Sequence, residues 1–176
     1  MSRIEPGSHL DHMLKQTRSH HMNLSTMADM KANILLTMAS VVMTLALPTL
    51  SDPVLGPGVV VLMTFSLVTV LLAAYVVMPH ISFSTKPGPH QDVHDKRFNI
   101  LFFGSFSALS YEEYAEAMQE LLEDSDATYQ AQVREIYQLG IFLAKKKFRF
   151  LRWAYLSFIL GFISTAIVLG VRLGLH

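Results

Sequence analysis

A chain of 176 residues without a single cysteine has room for one domain and little more, and it excludes disulfide scaffolds, thiolate metal sites and cysteine nucleophiles. Its formal net charge of zero argues against nucleic-acid binding as the main task. Charged residues make up 16% and apolar ones 51%, against about 25% charged in an ordinary soluble domain, and the apolar residues fall in blocks.

The first element in chain order is an amphipathic helix over about 10–31, with Leu10, Leu14, Thr17, Leu24 and Ala28 at helical spacing. The His20-His21 pair on it reads as solvated surface. No glycine or proline interrupts the run into an apolar block at 34–50, so one long helix is expected, its inner half below the membrane. Further apolar blocks lie at 59–78 and 153–171. All three are free of charged side chains and near the roughly 17–25 residues needed to cross a hydrocarbon core. They must be helical, because an unpaired backbone group in hydrocarbon has a cost of several kcal/mol. The first apolar block starts too late for a cleaved leader to be expected.

The short loop at 51–58, with two prolines and two glycines, makes the first two spans an antiparallel hairpin. Lys and Arg set the orientation. They crowd the N-terminal segment and the stretch between spans two and three, are missing from the hairpin loop, and leave only Arg172 in the tail. Both basic segments are therefore predicted to be cytoplasmic and the C-terminus external.

After the second span, Pro79 and the Lys86-Pro87-Gly88-Pro89 stretch force a loop. His90 and His94 are spaced as two zinc ligands on a helix would be, but no third ligand is evident, and surface histidines are the expectation. Ser110 with Glu113 has capping-box spacing and starts a helix to about 123. Its Glu112, Glu113, Glu116 and Glu120 read as a solvated face. A turn is expected at 124–128. A further helix carries Val133, Ile136, Tyr137, Gly140, Leu143 and Ala144 on one side and runs through the basic 145–152 stretch into the third span. Trp153 and Tyr155 suit the interfacial aromatic belt.

The fold class is thus an all-α membrane protein, three transmembrane helices with a helical cytoplasmic juxtamembrane bundle. Its parts are an N-terminal cytoplasmic helix at 1–31, a transmembrane hairpin at 32–79, a cytoplasmic helical segment at 80–152, and a third span with a short external tail at 153–176. No phosphate loop, nucleophile elbow or triad pattern is present, so no enzyme, no cofactor and no metal site is expected.

Three clusters rise above this background. Asp29 and Lys31 at the mouth of the first span carry a desolvation cost unless they find partners. Lys96, Arg97 and Asn99, leading into Phe102-Phe103-Gly104, combine cationic, amide and aromatic groups suited to an anionic planar ligand. These five polar residues are the candidate ligand-binding set, bordering a pocket at the cytoplasmic membrane surface. Interfacial snorkelling, headgroup contact and core packing are the plainer alternatives. Asn33, Thr37, Ser40 and Thr44 lie on one face of the first span. That stripe either glues helices within one subunit, for which Ser157, Gly161 and Ser164 offer a close-packing face, or lines a pore in a cyclic homo-oligomer.

The first two clusters also carry a resemblance. Ala28-Asp29-Met30-Lys31-Ala32-Asn33-Ile34-Leu35-Leu36 resembles the AD-x-KA-x-x-LL opening of the Pycsar transmembrane effector domain. Asn99 to Gly104, then Leu109-Ser110, Glu113-Tyr114 and Met118, is similar to that family's N-x-x-F-F-G and LS-x-x-EY segment. Ile136-Tyr137 and Lys147-Phe148-Arg149 fit its C-terminal part. The resemblance implies an antiphage effector in the bacterial inner membrane. A partner cyclase would make a cyclic pyrimidine nucleotide, and the effector would respond by impairing the membrane. The partners expected are that nucleotide from the resemblance and, from the residues themselves, membrane lipids and further copies of the chain, with no nucleic acid. The alternative is a structural or adaptor membrane protein that scaffolds partners through its cytoplasmic helices; a small transporter is a weaker third, since no internal repeat is evident.

Overall fold

The computed structural model describes residues 8–78, 98–101, 106 and 109–174. All regular structure among them is helical. The helices are α1 (Ser8–Ala46), α2 (Gly56–Val77), α3 (Tyr111–Glu123), α4 (Ser125–Phe142) and α5 (Arg149–Gly174). A 3-10 turn, Leu47–Thr49, follows α1, and a π-helical segment, Leu143–Phe148, joins α4 to α5. Among the described residues three helical stretches are long and apolar enough to cross a membrane.

The expected long first helix is present as the unbroken α1. It stops at Ala46 rather than near 50, because Pro48 within the 3-10 turn has no N–H to continue the α ladder. In the hairpin loop the Asp52 carboxylate accepts from the N–H groups of Val54 and Leu55, at 2.8 and 2.9 Å. Those two hydrogen bonds, Leu55 first, hold its carboxyl below the usual carboxylate range.

The chain divides into two compact units. One comprises residues 24–78 and 143–174. Its core is Ala28, Ala32, Leu35, Ala73, Val76, Leu151 and Ala154, with Leu36, Leu72 and Phe158 packed against it. Four of those seven are alanines, so helix backbones approach closely, as dispersion-driven packing in lipid favours. The α2–α5 seam is tight at Gly161, where an added Cβ would sit 2.7 Å from Phe65 Cβ, and at Gly58, where one would sit 2.7 Å from Leu169 Cδ2. Along the same seam Ser157 Oγ donates to the Phe65 carbonyl at 3.2 Å and Thr165 Oγ1 to that of Gly58 at 3.3 Å.

The other unit comprises residues 8–23 of α1 with the described part of 98–142. Here α1 pairs with α4. The Tyr129 hydroxyl donates to Asp11, and Arg18 is ion-paired with Glu135 at 3.0 Å. The ring of His21 lies against Gly140, where an added Cβ would meet His21 Cε1 at 3.4 Å, an ordinary contact distance. His20 is exposed as expected, but His21 is half-buried and its Nδ1 is buried without a hydrogen-bond partner among the described residues.

The capping box is present in full: Glu113 N donates to Ser110 Oγ, and Ser110 N to the Glu113 carboxylate. The expected turn at 124–128 contracts to Asp124 alone. Its carboxylate accepts from the N–H groups of Asp126 and Ala127, so α4 starts at once. The face of α4 also differs from the expectation. Val133 and Tyr137 are exposed, and Tyr129 and Glu135 are buried, because Asp11 and Arg18 supply polar partners on the inward side.

Candidate functional site

Glu135 is an ionisable group only 7% exposed. Desolvation pushes its carboxyl above the usual range, with Arg18 pulling the other way. The pair ties α1 to α4, and neither residue stood out in the sequence.

The same unit holds a cavity of about 330 Å³. Phe98, Asn99 and Ile100 form one wall, Glu120, Leu121 and Asp124 another, and Arg134 a third. Asn99 is 3% exposed. Its amide donates to the Ala131 carbonyl at 3.2 Å and the Gln138 side chain at 3.4 Å, and its oxygen accepts from Leu101 N at 3.1 Å. Every polar atom of that side chain is engaged, so Asn99 fixes the wall rather than offering itself freely. Arg134 donates one N–H to the Phe98 carbonyl at 3.2 Å. A guanidinium has five N–H donors in a planar fork, so capacity remains for an anion. The size falls in the range of small-ligand sites, about 300–1,000 Å³. Lys96 and Arg97, which directly precede Phe98 in the chain, lie outside the described residues, as do Phe102-Phe103-Gly104, His90 and His94. Glu120, expected as part of a solvated face, lines this cavity.

Asp29 and Lys31 belong to the other unit. Asp29 is engaged: both its carboxylate oxygens are 2.7 Å from Lys147 Nζ, and Ser25 Oγ adds a third acceptor at 2.8 Å. The Lys147 side chain is 13% exposed and that of Asp29 37%. The three donors of the ammonium thus meet three acceptors. Lys31 is exposed.

Asn33, Thr37, Ser40 and Thr44 are all exposed, on the side of α1 opposite Ala28, Ala32, Leu35 and Ala39. Thr37 and Thr44 return their hydroxyls to the carbonyls of Asn33 and Ser40, at 3.0 Å each. No partner exists for the Asn33 amide among the described residues. The small face of α5 is taken by α2 through Ser157 and Gly161. The stripe therefore has no helix of its own chain against it among the described residues.

A family model described as the Pycsar effector protein domain matches residues 12–174. The chain belongs to the Pycsar effector family. Membership, with three apolar helices long enough to span, makes it a membrane effector of antiphage defence with a functional link to cyclic-nucleotide signalling. No curated protein matches it. No solved structure matches it either.

Among the described residues no group of three or more His, Asp or Glu side chains is placed to hold a metal ion.

Proposed function

We propose that this Pycsar effector responds to a cyclic pyrimidine nucleotide, made by a partner cyclase, by opening a lesion in the inner membrane as a homo-oligomer. The observation that carries the reading is the exposed stripe Asn33, Thr37, Ser40 and Thr44 on a helix otherwise apolar enough to span. The Thr37 and Thr44 hydroxyls are satisfied within their own helix, but the Asn33 amide facing lipid without a partner would be costly. Three helices cannot enclose a water path, so the stripe needs equivalent stripes from further copies around a cyclic axis.

The spacing supports self-association. The steps of four, three and four residues are a heptad pattern, which suits helices of the same kind packed side by side. The same positions continue toward the N-terminus as Met30 and Thr26, then Asn23, Ser19, Gln16 and His12, and all of these are exposed.

The ligand site of this reading is the cavity walled by Phe98, Asn99 and Arg134; Lys96 and Arg97, outside the described residues, stay in the ligand set on their place in the sequence alone. An aromatic ring and guanidinium groups suit a base and a cyclic phosphate. Asp29, also a candidate for the ligand set, serves in this reading as the anchor of Lys147, and Lys31 as a surface cation beside it. Orientation follows the Lys and Arg bias, with the N-terminus cytoplasmic and the C-terminus external. Ligand binding shifts a closed-to-open equilibrium through unequal affinity for the two states.

The test is expression in bacteria with and without a pyrimidine cyclase, read by a potential-sensitive dye. Depolarisation that needs both proteins supports the reading. An unchanged potential with both present, the effector being in the membrane, favours the adaptor alternative.

A further inference from the structure

The start of α5 carries a second surface that the nucleotide reading does not use. Lys147 turns inward to Asp29, and Leu151 and Ala154 are buried in the core. Arg149, Arg152, Trp153 and Leu156 are therefore carried on the outward side of the helix, where all four are exposed. With Ala144 and Phe148 they line a groove of about 530 Å³. Neither arginine has an acidic partner among the described residues. Lys145 and Lys146 are exposed on the adjoining π-helical turn but do not line the groove.

The order of groups along this face has chemical meaning. Two guanidinium groups come first, an indole is next to them, and an unbroken apolar surface follows through Leu156, Ile159, Leu160 and Ile163. Guanidinium matches a phosphate with paired N–H donors. Indole favours the boundary between headgroups and hydrocarbon. The apolar run beyond it is the surface against which an acyl chain lies. A soluble anion would use the arginines and leave the rest of the groove unfilled.

We propose that this groove binds one anionic membrane phospholipid, its phosphate held by Arg149 and Arg152 and one acyl chain laid along Trp153 and Leu156. The inference rests on membrane insertion and is independent of the nucleotide reading. Because Lys147 and Asp29 fix the rotation of this turn, the headgroup site is aimed outward by the same ion pair that holds the turn to α1.

Trp153 is the sole tryptophan of the chain, which gives a direct probe. The full protein is reconstituted in phosphatidylcholine vesicles containing a minor fraction of brominated lipid, either phosphatidylglycerol or phosphatidylcholine, and Trp153 quenching is read. Brominated phosphatidylglycerol should quench about twofold or more above brominated phosphatidylcholine at equal mole fraction. The excess should vanish in R149Q/R152Q while quenching by brominated phosphatidylcholine persists, which shows that the variant is still inserted. K145Q/K146Q, which removes the same charge beside the groove, should retain the excess. Equal quenching by the two lipids in the native protein overturns the proposal. So does an excess that survives R149Q/R152Q, or one that K145Q/K146Q abolishes equally, since general surface charge then explains it. Soluble glycerol 3-phosphate should leave the excess unchanged. Its loss at low concentrations of that compound would assign the groove to soluble phosphoesters instead.

Discussion

Lys147 Nζ sits 2.7 Å from both carboxylate oxygens of Asp29, joining the first membrane helix to the π-helical turn that precedes the last one. The turn is the point where the i to i−4 ladder widens, and such turns recur at functional sites. An ion pair placed there fixes which residues of α5 face inward.

Breaking that pair from one side leaves a poorly hydrated charge. Asp29→Asn should destabilise the protein by on the order of 1–3 kcal/mol, less than for a fully buried pair because Asp29 is partly exposed. Lys147→Met should have a similar cost alone. In the double variant the two losses should fall well short of adding, as coupled neighbours require. Thermal unfolding in detergent for the four proteins measures this. Additive losses would mean that the pair does not act as a unit.

Packing of α2 on α5 gives a sharper contrast. Gly161→Ala places a Cβ 2.7 Å from Phe65 Cβ, an overpacking worth about 1–3 kcal/mol. Gly170→Ala, with nothing within 4 Å of the new Cβ, should be neutral or slightly stabilising. Equal melting temperatures for both variants would contradict the described seam.

The Glu135 carboxyl gives a pH dependence of known sign. Its pKa is raised in the folded protein by burial, against the opposing pull of Arg18. A raised value means that the folded state binds the proton more tightly. The contribution is therefore full below the unfolded carboxylate value, about 4.3, and is lost as pH rises through the folded value. Relative to Glu135→Gln, the native protein should gain stability as pH falls through the carboxylate range. Denaturation of both proteins at several pH values checks it. A difference that moves the opposite way would make the Arg18 pairing the stronger effect.

The lack of native cysteine makes the stripe on α1 open to thiol scanning. Cysteines at 37, 40 and 44 should react with a water-soluble reagent only when the ligand is present, and those at 38 and 42 should stay unreactive. If all five remain unreactive in the activated state, the stripe serves packing and the lesion forms elsewhere.

Much of the architecture was legible because local signals carried it. The charge-free blocks, the unbroken run through α1 and the Ser110–Glu113 box each depend on neighbours in sequence. Features set by distant partners were not legible. Lys147 was one member of a basic run, and only its packing against Asp29 and Ser25 separates it from Lys145 and Lys146. Glu135 carried no sign of burial, since Arg18 lies on another helix. The π-helical turn has no sequence signature at all. In the candidate site, Asn99 was found by its aromatic and basic neighbours. Arg134, which also lines the cavity, is in the sequence only one of many positive charges between the second and third spans.

In the proposed function a cyclic nucleotide opens the membrane lesion directly. That opening is tested most directly with the purified full-length protein in anionic liposomes loaded with a potential- or ion-sensitive dye, to which a cyclic pyrimidine nucleotide or its linear monophosphate is added. Rapid ion flux is expected with the cyclic form alone, and a dose response shifted at least about tenfold by Arg97→Ala or Arg134→Ala, as loss of charged hydrogen bonds would give. No flux with any cyclic nucleotide, from protein shown to be inserted, would contradict it.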